Sequence, residues 1–343
     1  MASIVFADST LHYDGRDLGR RPLGGTETSV IYCAQELARR GHQVTCFTNC
    51  DGPVEHEGVM WRPLSSTPPQ ECDLYIACHQ PYLLSFVPRP KRRAVWVLWP
   101  VSQLRHYKKA WRMWLYRPIP ILISFYEAKA YSPILPRWEP QIVLPHGLPD
   151  DVRGLAPLAA PPPPRAIFAS NPTRNLCRLV EIWAESILPR VPSATLEVYG
   201  VRGDGANQWN AWEGSLLPRG MSDATKASVN IHPSVSRQEL IAAMRGARVM
   251  PYLGHKSEAF CLTLAEAQAL GLPAVVARIG ALPERVIDGV TGFHRDDDAG
   301  FAEATIALLT DDALWRRQHE SALTLQQGLS WREYAEAFEA KLL

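Results

Sequence analysis

The stretch SEAFCLTLAEAQALGLP, residues 257–273, carries two carboxylates, Glu258 and Glu266, with seven residues between them and mostly apolar or small neighbours. A buried carboxylate is costly unless something pairs with it. The preceding ARVMPYL reads as a buried strand. A helix is expected from about Cys261 to Leu270, stopping at Gly271 with Pro273 beyond. Glu258 then stands in the loop before the helix and Glu266 in its second turn. The first-turn N–H groups of such a helix lack internal partners and its dipole is positive there, which suits a phosphate. Ionised carboxylates only accept hydrogen bonds, so the two glutamates suit hydroxyls. Acceptors for sugar hydroxyls around a diphosphate describe a nucleotide-sugar site. The same spacing also fits a plainer arrangement, with Glu258 a charge favoured by the dipole and Glu266 facing solvent.

The elements that must position these residues come from the rest of the chain. At 343 residues it is comfortable for two domains. With 46% apolar and 21% charged residues, its composition is that of a soluble globular protein. A net charge of +1 gives no global attraction to nucleic acid. MASIVFADST reads as a first strand rather than a signal peptide, and no apolar run is long enough to span a membrane. Cys33, Cys46, Cys50, Cys72, Cys78, Cys177 and Cys261 are odd in number and contain no C-x-x-C pair. Buried reduced thiols in a cytoplasmic protein are therefore expected, not a zinc site or a disulfide framework.

Short apolar runs alternate with segments of helical period, the pattern of parallel sheets covered by helices. Expected strands in the first half are SIVFAD, QVTCFT, DLYIACH, AVWVLW, ILISFY and QIVLP. Between the first two, Val30, Ile31, Ala34, Leu37 and Ala38 follow helical spacing, with Gly41 as the left-handed stop. The proline run in DDVRGLAPLAAPPPPRA makes an extended spacer. The alternation then restarts with AIFAS, a helix from Arg174 to about Pro189, ATLEVYG, VNIHP, ARVMPYL and PAVVAR. This divides the chain into residues 1–150, a linker at 151–164 and a second α/β domain at 165–343. The terminal WREYAEAFEAKLL is one more amphipathic helix, a candidate to cross back to the first domain.

Three segments, VSRQELIAAMRGARVMPYL, SEAFCLTLAEAQALGLPAVVA and IGALPERVIDGVTGFH, together resemble the retaining GT-B glycosyltransferases of the family 4 type. The second is similar to that family's E-x7-E motif and the third to its G-x-x-E-x-V-x-x-G-x-x-G-F tail. LGGTETSVIYCAQELARRGHQVTCFT is similar to its opening glycine loop and helix. The resemblance implies an α/β GT-B fold: two Rossmann-like domains with parallel sheets facing a central cleft. It implies that Glu266 accepts from the nucleotide ribose and that Glu258 contacts donor-sugar hydroxyls. It also implies that N–H groups of Phe260, Cys261 and Leu262 approach the sugar and diphosphate, while Gly24 and Gly25 form the loop over the phosphates. In FASNPTRNLCRLVEIW, Arg174 matches the basic residue that grips the diphosphate.

Two departures stand out. The second cation of the family, expected near Phe168, Ala169 and Ser170, is missing or replaced by polar groups such as Ser170 and Asn171. The family histidine at the end of the strand AVWVLWP is replaced by Trp99 and Pro100, which leaves His79, ending DLYIACH, as the candidate on that side. His106 points elsewhere, and His146 matches a hinge position and is read as structural. YGVRGDG misses the G-x-G-x-x-G order and fits a loop near the base. No metal is required, and Asp296–Asp298 is expected in a surface turn. From Arg89 to Pro118 there are nine cations and no acid. A helix from Ser102 would put Leu104, Trp111, Trp114 and Leu115 on one face and turn Arg105, Lys109 and Arg112 away. That pattern fits either a peripheral membrane contact or a helix packed on its own sheet.

The resulting expectation is a hexosyltransferase-type retaining enzyme. It would use a nucleotide-diphosphate sugar and a saccharide or lipid-linked acceptor, as in polysaccharide, lipopolysaccharide or glycolipid synthesis. The competing expectations are a nucleotide-sugar epimerase of the same fold and a GT-B subunit that binds without turnover.

Overall fold

The computed structural model describes residues 1–21, 23–138, 140–200, 214 and 216–343. The chain divides into two compact units, Met1–Gly147 with Leu329–Leu343, and Leu148–Gly328.

The first unit is built on β1 (Ser3–Ala7), β2 (Gln43–Thr48), β3 (Val54–His56), β4 (Val59–Pro63), β5 (Glu71–Cys78), β6 (Arg89–Val97), β7 (Ile119–Leu122) and β8 (Ile142–Val143). They form one sheet in the order β3-β4-β2-β1-β5-β6-β7-β8, parallel except for the β3–β4 hairpin. The hairpin turns at Glu57 and Gly58, both at positive φ, the twist that a two-residue turn between strands requires. Between β1 and β2 the helix α1 (Gly25–Arg39) buries Val30, Ile31, Ala34 and Leu37 completely. Each of the larger three contributes about 1.5–3 kcal/mol. Gly41, at φ +89°, closes the helix, its N–H donating to the Ala38 carbonyl while the His42 N–H donates to that of Leu37. The C-terminal helix, Trp331–Leu342, packs on this unit: Phe338 stacks on Phe6, and Tyr334 on Trp96.

Several sequence expectations need correction here. The run ILISFY is not all strand. β7 ends at Leu122, and Ser124 caps a new helix, α2 (Phe125–Lys129), by accepting from the Glu127 N–H at 3.1 Å. The basic helix does not begin at Ser102. A 3-10 turn spans Val101–Arg105, His106 is extended, and the α-helix runs Tyr107–Tyr116. That break shifts the register, so the anticipated face divides. Leu104 is buried with Met113, while Trp111, Trp114 and Leu115 are exposed alongside the basic residues. Asp297 and Asp298 lie at a helix start, not in a free turn: Asp297 caps the helix Asp298–Thr310. Of the seven cysteines, all free, Cys177 and Cys261 are only half-buried.

The second unit carries β9 (Arg165–Ala169), β10 (Thr195–Tyr199) and β11 (Val229–Ile231), and β12 (Met250–Tyr252), β13 (Ala274–Ala277) and β14 (Gly292–Arg295), all pairing in parallel. The two triplets join where the Ile167 N–H donates to the Val249 carbonyl at 3.0 Å. The helix expected from Arg174 starts at Leu176, because Asn175 sits in the left-handed region at φ +63°, and its last turn is π-type over Trp183–Ile187. Of YGVRGDG, residues 201–205 lie outside the described residues.

Candidate active site

The site in the second unit grows from the end of β12. Tyr252, the last residue of that strand, is buried and donates its hydroxyl to Glu258 Oε1 at 2.7 Å. The same hydroxyl stands 3.1 Å from Ser170 Oγ, just past the end of β9. Burial, with Cys261 and Glu258 nearby, holds the Tyr252 phenol protonated far above its ordinary range. Glu258 is itself buried, 6% exposed. Its backbone is clamped, the Ala281 N–H donating to its carbonyl at 2.9 Å. At Gly280, φ +55°, a Cβ would stand 2.5 Å from that carbonyl oxygen. Glycine is therefore required where this loop is held.

Arg174 approaches from the end of β9. One guanidinium nitrogen donates to Ser257 Oγ at 2.7 Å and lies 3.5 Å from Glu258 Oε1. The left-handed Asn175 is tethered through its amide to the Gly254 carbonyl at 2.6 Å. His255 Nδ1 completes the chain at 2.7 Å from Ser257 Oγ. Arg174 is thus aimed by two loops at once and remains partly open to solvent, a geometry suited to an incoming anion.

The helix Leu262–Ala269 begins after Cys261, which holds a left-handed conformation, φ +67° and ψ +75°. A non-glycine residue there costs about 1–3 kcal/mol, and such strain concentrates at functional sites. Burial, then the Glu258 charge, pushes the Cys261 thiol up to about 12, so it is no thiolate nucleophile. Phe260 is buried beneath the Arg285 guanidinium, 4.3 Å from its ring centroid. Phe260, Cys261 and Leu262 therefore bring their backbone to the helix tip beside Glu258.

Glu266 is 8% exposed and does not face bulk water. Burial raises its carboxyl, and Arg237 opposes that shift by donating to Oε1 at 2.9 Å. Arg237 also grips Asp151 with two hydrogen bonds, at 2.7 and 2.8 Å. Sequence reasoning passed over Arg237, Ser257 and Tyr252. Arg237 had a signal: it follows Ser236, which forms a capping box with Glu239. Tyr252 had none, being one aromatic among strand residues.

In the first unit, Gly24 caps α1 and Gly25 opens it. The loop is already engaged by a carboxylate, because buried Glu27 accepts from the Gly24 N–H and from its own N–H. His79 directly follows β5 and is almost wholly buried. His146 is buried as well, against Trp96 and Trp331. Among the described residues no group of three or more His, Cys, Asp or Glu could hold a metal ion.

Residues 163–311 match the family model described as Glycosyl transferases group 1. The second unit is a glycosyl transferases group 1 domain. The chain is 38% identical over 111 residues to a D-inositol 3-phosphate glycosyltransferase of Xylanimonas cellulosilytica, covering 32% of this chain and 26% of that protein. A protein of the same name from Thermobifida fusca is 36% identical over 105 residues, 30% of this chain and 24% of the relative. The matched region thus spans about a quarter of these relatives. Whole-chain likeness extends to sucrose-phosphate synthase from Thermosynechococcus elongatus, with a TM-score of 0.73 and 15% identity over 99% of this chain and 98% of that one. It extends also to Anabaena HepE in complex with UDP-glucose, with a TM-score of 0.71 and 16% identity over 99% and 100%. WaaG, a glycosyltransferase involved in lipopolysaccharide biosynthesis, gives 0.70 and 14% over 99% of both. The fold is GT-B, with two Rossmann-like α/β units. Within the group 1 domain, Glu258, Arg174 and the Cys261 helix tip form one cluster, and Glu266 is held separately by Arg237.

Proposed function

We propose that this chain is a glycosyltransferase that moves a hexosyl group from a nucleotide-diphosphate sugar to an acceptor hydroxyl with retention of configuration. One observation carries the reading: Tyr252 and Arg174, the latter held by Ser257, converge on the buried carboxylate of Glu258 at the start of a helix. The names of the relatives and the UDP-glucose bound to HepE agree with it.

As the glycosidic bond breaks, charge grows on the departing diphosphate. Arg174 and the N–H groups of Phe260, Cys261 and Leu262 are aimed at that charge before it forms, which is electrostatic preorganisation. They meet it with protein donors, so no metal is required. Glu258 accepts from hydroxyls of the sugar and orients it, its Oε1 held by Tyr252 and Arg174. Glu266, kept in place by Arg237, accepts from the ribose hydroxyls. Gly24 and Gly25 add backbone donors for phosphate, that of Gly24 once Glu27 yields it. A saccharide or lipid-linked acceptor, with a role in polysaccharide, lipopolysaccharide or glycolipid synthesis, completes the reading, and His79 is its candidate on the acceptor side.

The test is a panel of UDP-, GDP- and dTDP-sugars. Binding by calorimetry and slow donor hydrolysis, both weakened in Arg174→Ala and hydrolysis lost in Glu258→Gln, support the enzyme. Donor binding with no consumption, even with cell-envelope extract as acceptor, supports a binding subunit instead, and conversion of donor to free UDP and an epimerised sugar supports the epimerase.

Residues 89–118 fit a peripheral contact with anionic lipid on the cytoplasmic face. Trp111, Trp114 and Leu115 are exposed, the Arg112 guanidinium lies over Trp111 at 4.7 Å, and that of Arg117 over Trp138 at 4.3 Å. Aromatic bodies beside cations suit a headgroup interface. Flotation with anionic vesicles at low salt tests it, and failure to float removes it. Among the described residues no helix is long and apolar enough to cross a membrane.

A further inference from the structure

Asp8, His79 and Trp99 follow β1, β5 and β6, three neighbouring strands, so all three stand at one edge of the first unit's parallel sheet. Ligands of such sheets gather at that edge. Asp8 is fully buried and accepts three hydrogen bonds: from the Tyr13 hydroxyl at 2.6 Å, the Thr10 hydroxyl at 2.8 Å and the Thr10 N–H at 3.0 Å.

His79 differs from its neighbours in three ways. It is 3% exposed, yet neither ring nitrogen has a hydrogen-bond partner, and Nε2 stands 3.9 Å from Asp8 Oδ1. Its backbone is left-handed at φ +35°. Its imidazole lies flat against Trp99, with ring centroids 4.6 Å apart and planes 14° apart. Strain and orphaned buried polar atoms both oppose folding, and neither adds packing. A core histidine kept for stability alone would be expected to satisfy its nitrogens. Burial lowers this histidine to about 4, so near neutral pH it offers one N–H donor and one bare acceptor. A hydroxyl needs that pair of functions. Trp99 is 39% exposed, its outer surface available to the C–H face of a saturated ring.

We propose that Asp8, His79 and Trp99 form a subsite for a ring polyol, a sugar or cyclitol, in which the indole covers the ring and His79 exchanges hydrogen bonds with one of its hydroxyls. Asp8 is a positioning residue that orients the imidazole. Because the nitrogens are closed off, the indole shifts to admit the hydroxyl, so Trp99 is both cover and platform. The proposal rests on the glycosyltransferase reading and deepens it by naming the acceptor class and the residues that take it.

The full chain is titrated with methyl α-glucoside, methyl α-mannoside and myo-inositol up to their solubility limits. Trp99 emission is read as the difference between wild type and Trp99→Phe, and the His79 ring by 15N-histidine NMR, assigned by its loss in His79→Gln. At least one polyol is expected to move both signals, with affinity weakened tenfold or more in His79→Gln and in Asp8→Asn, and nucleotide-sugar affinity changed by no more than about twofold. His79→Gln keeps a donor and an acceptor, so it remains informative if Asp8→Asn does not fold. The proposal is overturned if no polyol moves either signal, or if the response survives His79→Gln undiminished. Loss of the donor reading would appear separately, as absence of nucleotide-sugar binding, while the polyol titration still gave its own answer.

Discussion

The strand ends of the two units solve opposite problems with similar parts. In the second unit, every charged group of the candidate donor site already has a partner: Arg174 with Ser257 and Glu258, Glu258 with Tyr252, Glu266 with Arg237. In the first unit, a buried imidazole has an aromatic face against it and no hydrogen bond at either nitrogen. Both regions hold non-glycine residues at positive φ, Asn175 and Cys261 in one and His79 in the other. A satisfied network is stiff and presents a fixed field, which suits stabilisation of a growing negative charge. An unsatisfied buried group keeps its hydrogen-bonding capacity in reserve, which suits recognition of a neutral hydroxyl.

The contrast can be broken from the donor side first. Glu258→Gln keeps shape and removes charge, so kcat/KM for donor consumption should fall about 10²–10³-fold, roughly 2.7–4 kcal/mol. A loss under threefold in a steady-state assay would mean that the network is structural. Arg237→Ala leaves Glu266 buried without its cation, and unfolding by urea should show a loss of about 3 kcal/mol. An unchanged midpoint would show that Glu266 turns to solvent.

On the other side, His79 titrates with a lowered pKa of about 4 in the folded protein against about 6.5 unfolded. The unfolded chain therefore binds the extra proton across that window. The stability His79 contributes by staying neutral is complete above pH 6.5 and is lost as pH falls toward 4, amounting to about 3 kcal/mol. Asp8 and Lys109 are the charged groups facing it, with opposite effects. Urea unfolding of wild type and His79→Gln at pH 7 and pH 4 should show the variant losing less; equal losses would mean that the imidazole is hydrated. The smallest effect should come from Ser257→Ala. It removes one hydrogen bond to Arg174 and should weaken nucleotide-sugar binding in calorimetry by about tenfold at most.

Much of this was readable along the chain. The alternation of apolar runs with helical spacing announced parallel α/β units, and Val30, Ile31, Ala34 and Leu37 are fully buried as their spacing implied. Glu258 and Glu266 lay on either side of the start of a helix that stops at Gly271 and Pro273, and both are buried. The misreadings came where a local group outweighed periodicity. Ser124 captured the end of ILISFY for a helix cap, and the extended His106 broke the basic helix and exposed the tryptophans expected to share a face with Leu104.

Sequence alone determined the period of each element, the glycines at turns and the order in which strand ends receive chemical groups, because these depend on neighbours a few residues apart. It could not decide that Tyr252 and Ser257 would share Glu258 and Arg174, that Arg237 would hold Glu266, or that Trp99 would lie flat on an unpaired His79. Those contacts join residues on different strands and loops, and a side chain's hydrogen-bond partner is set by which strand ends the sheet order makes adjacent.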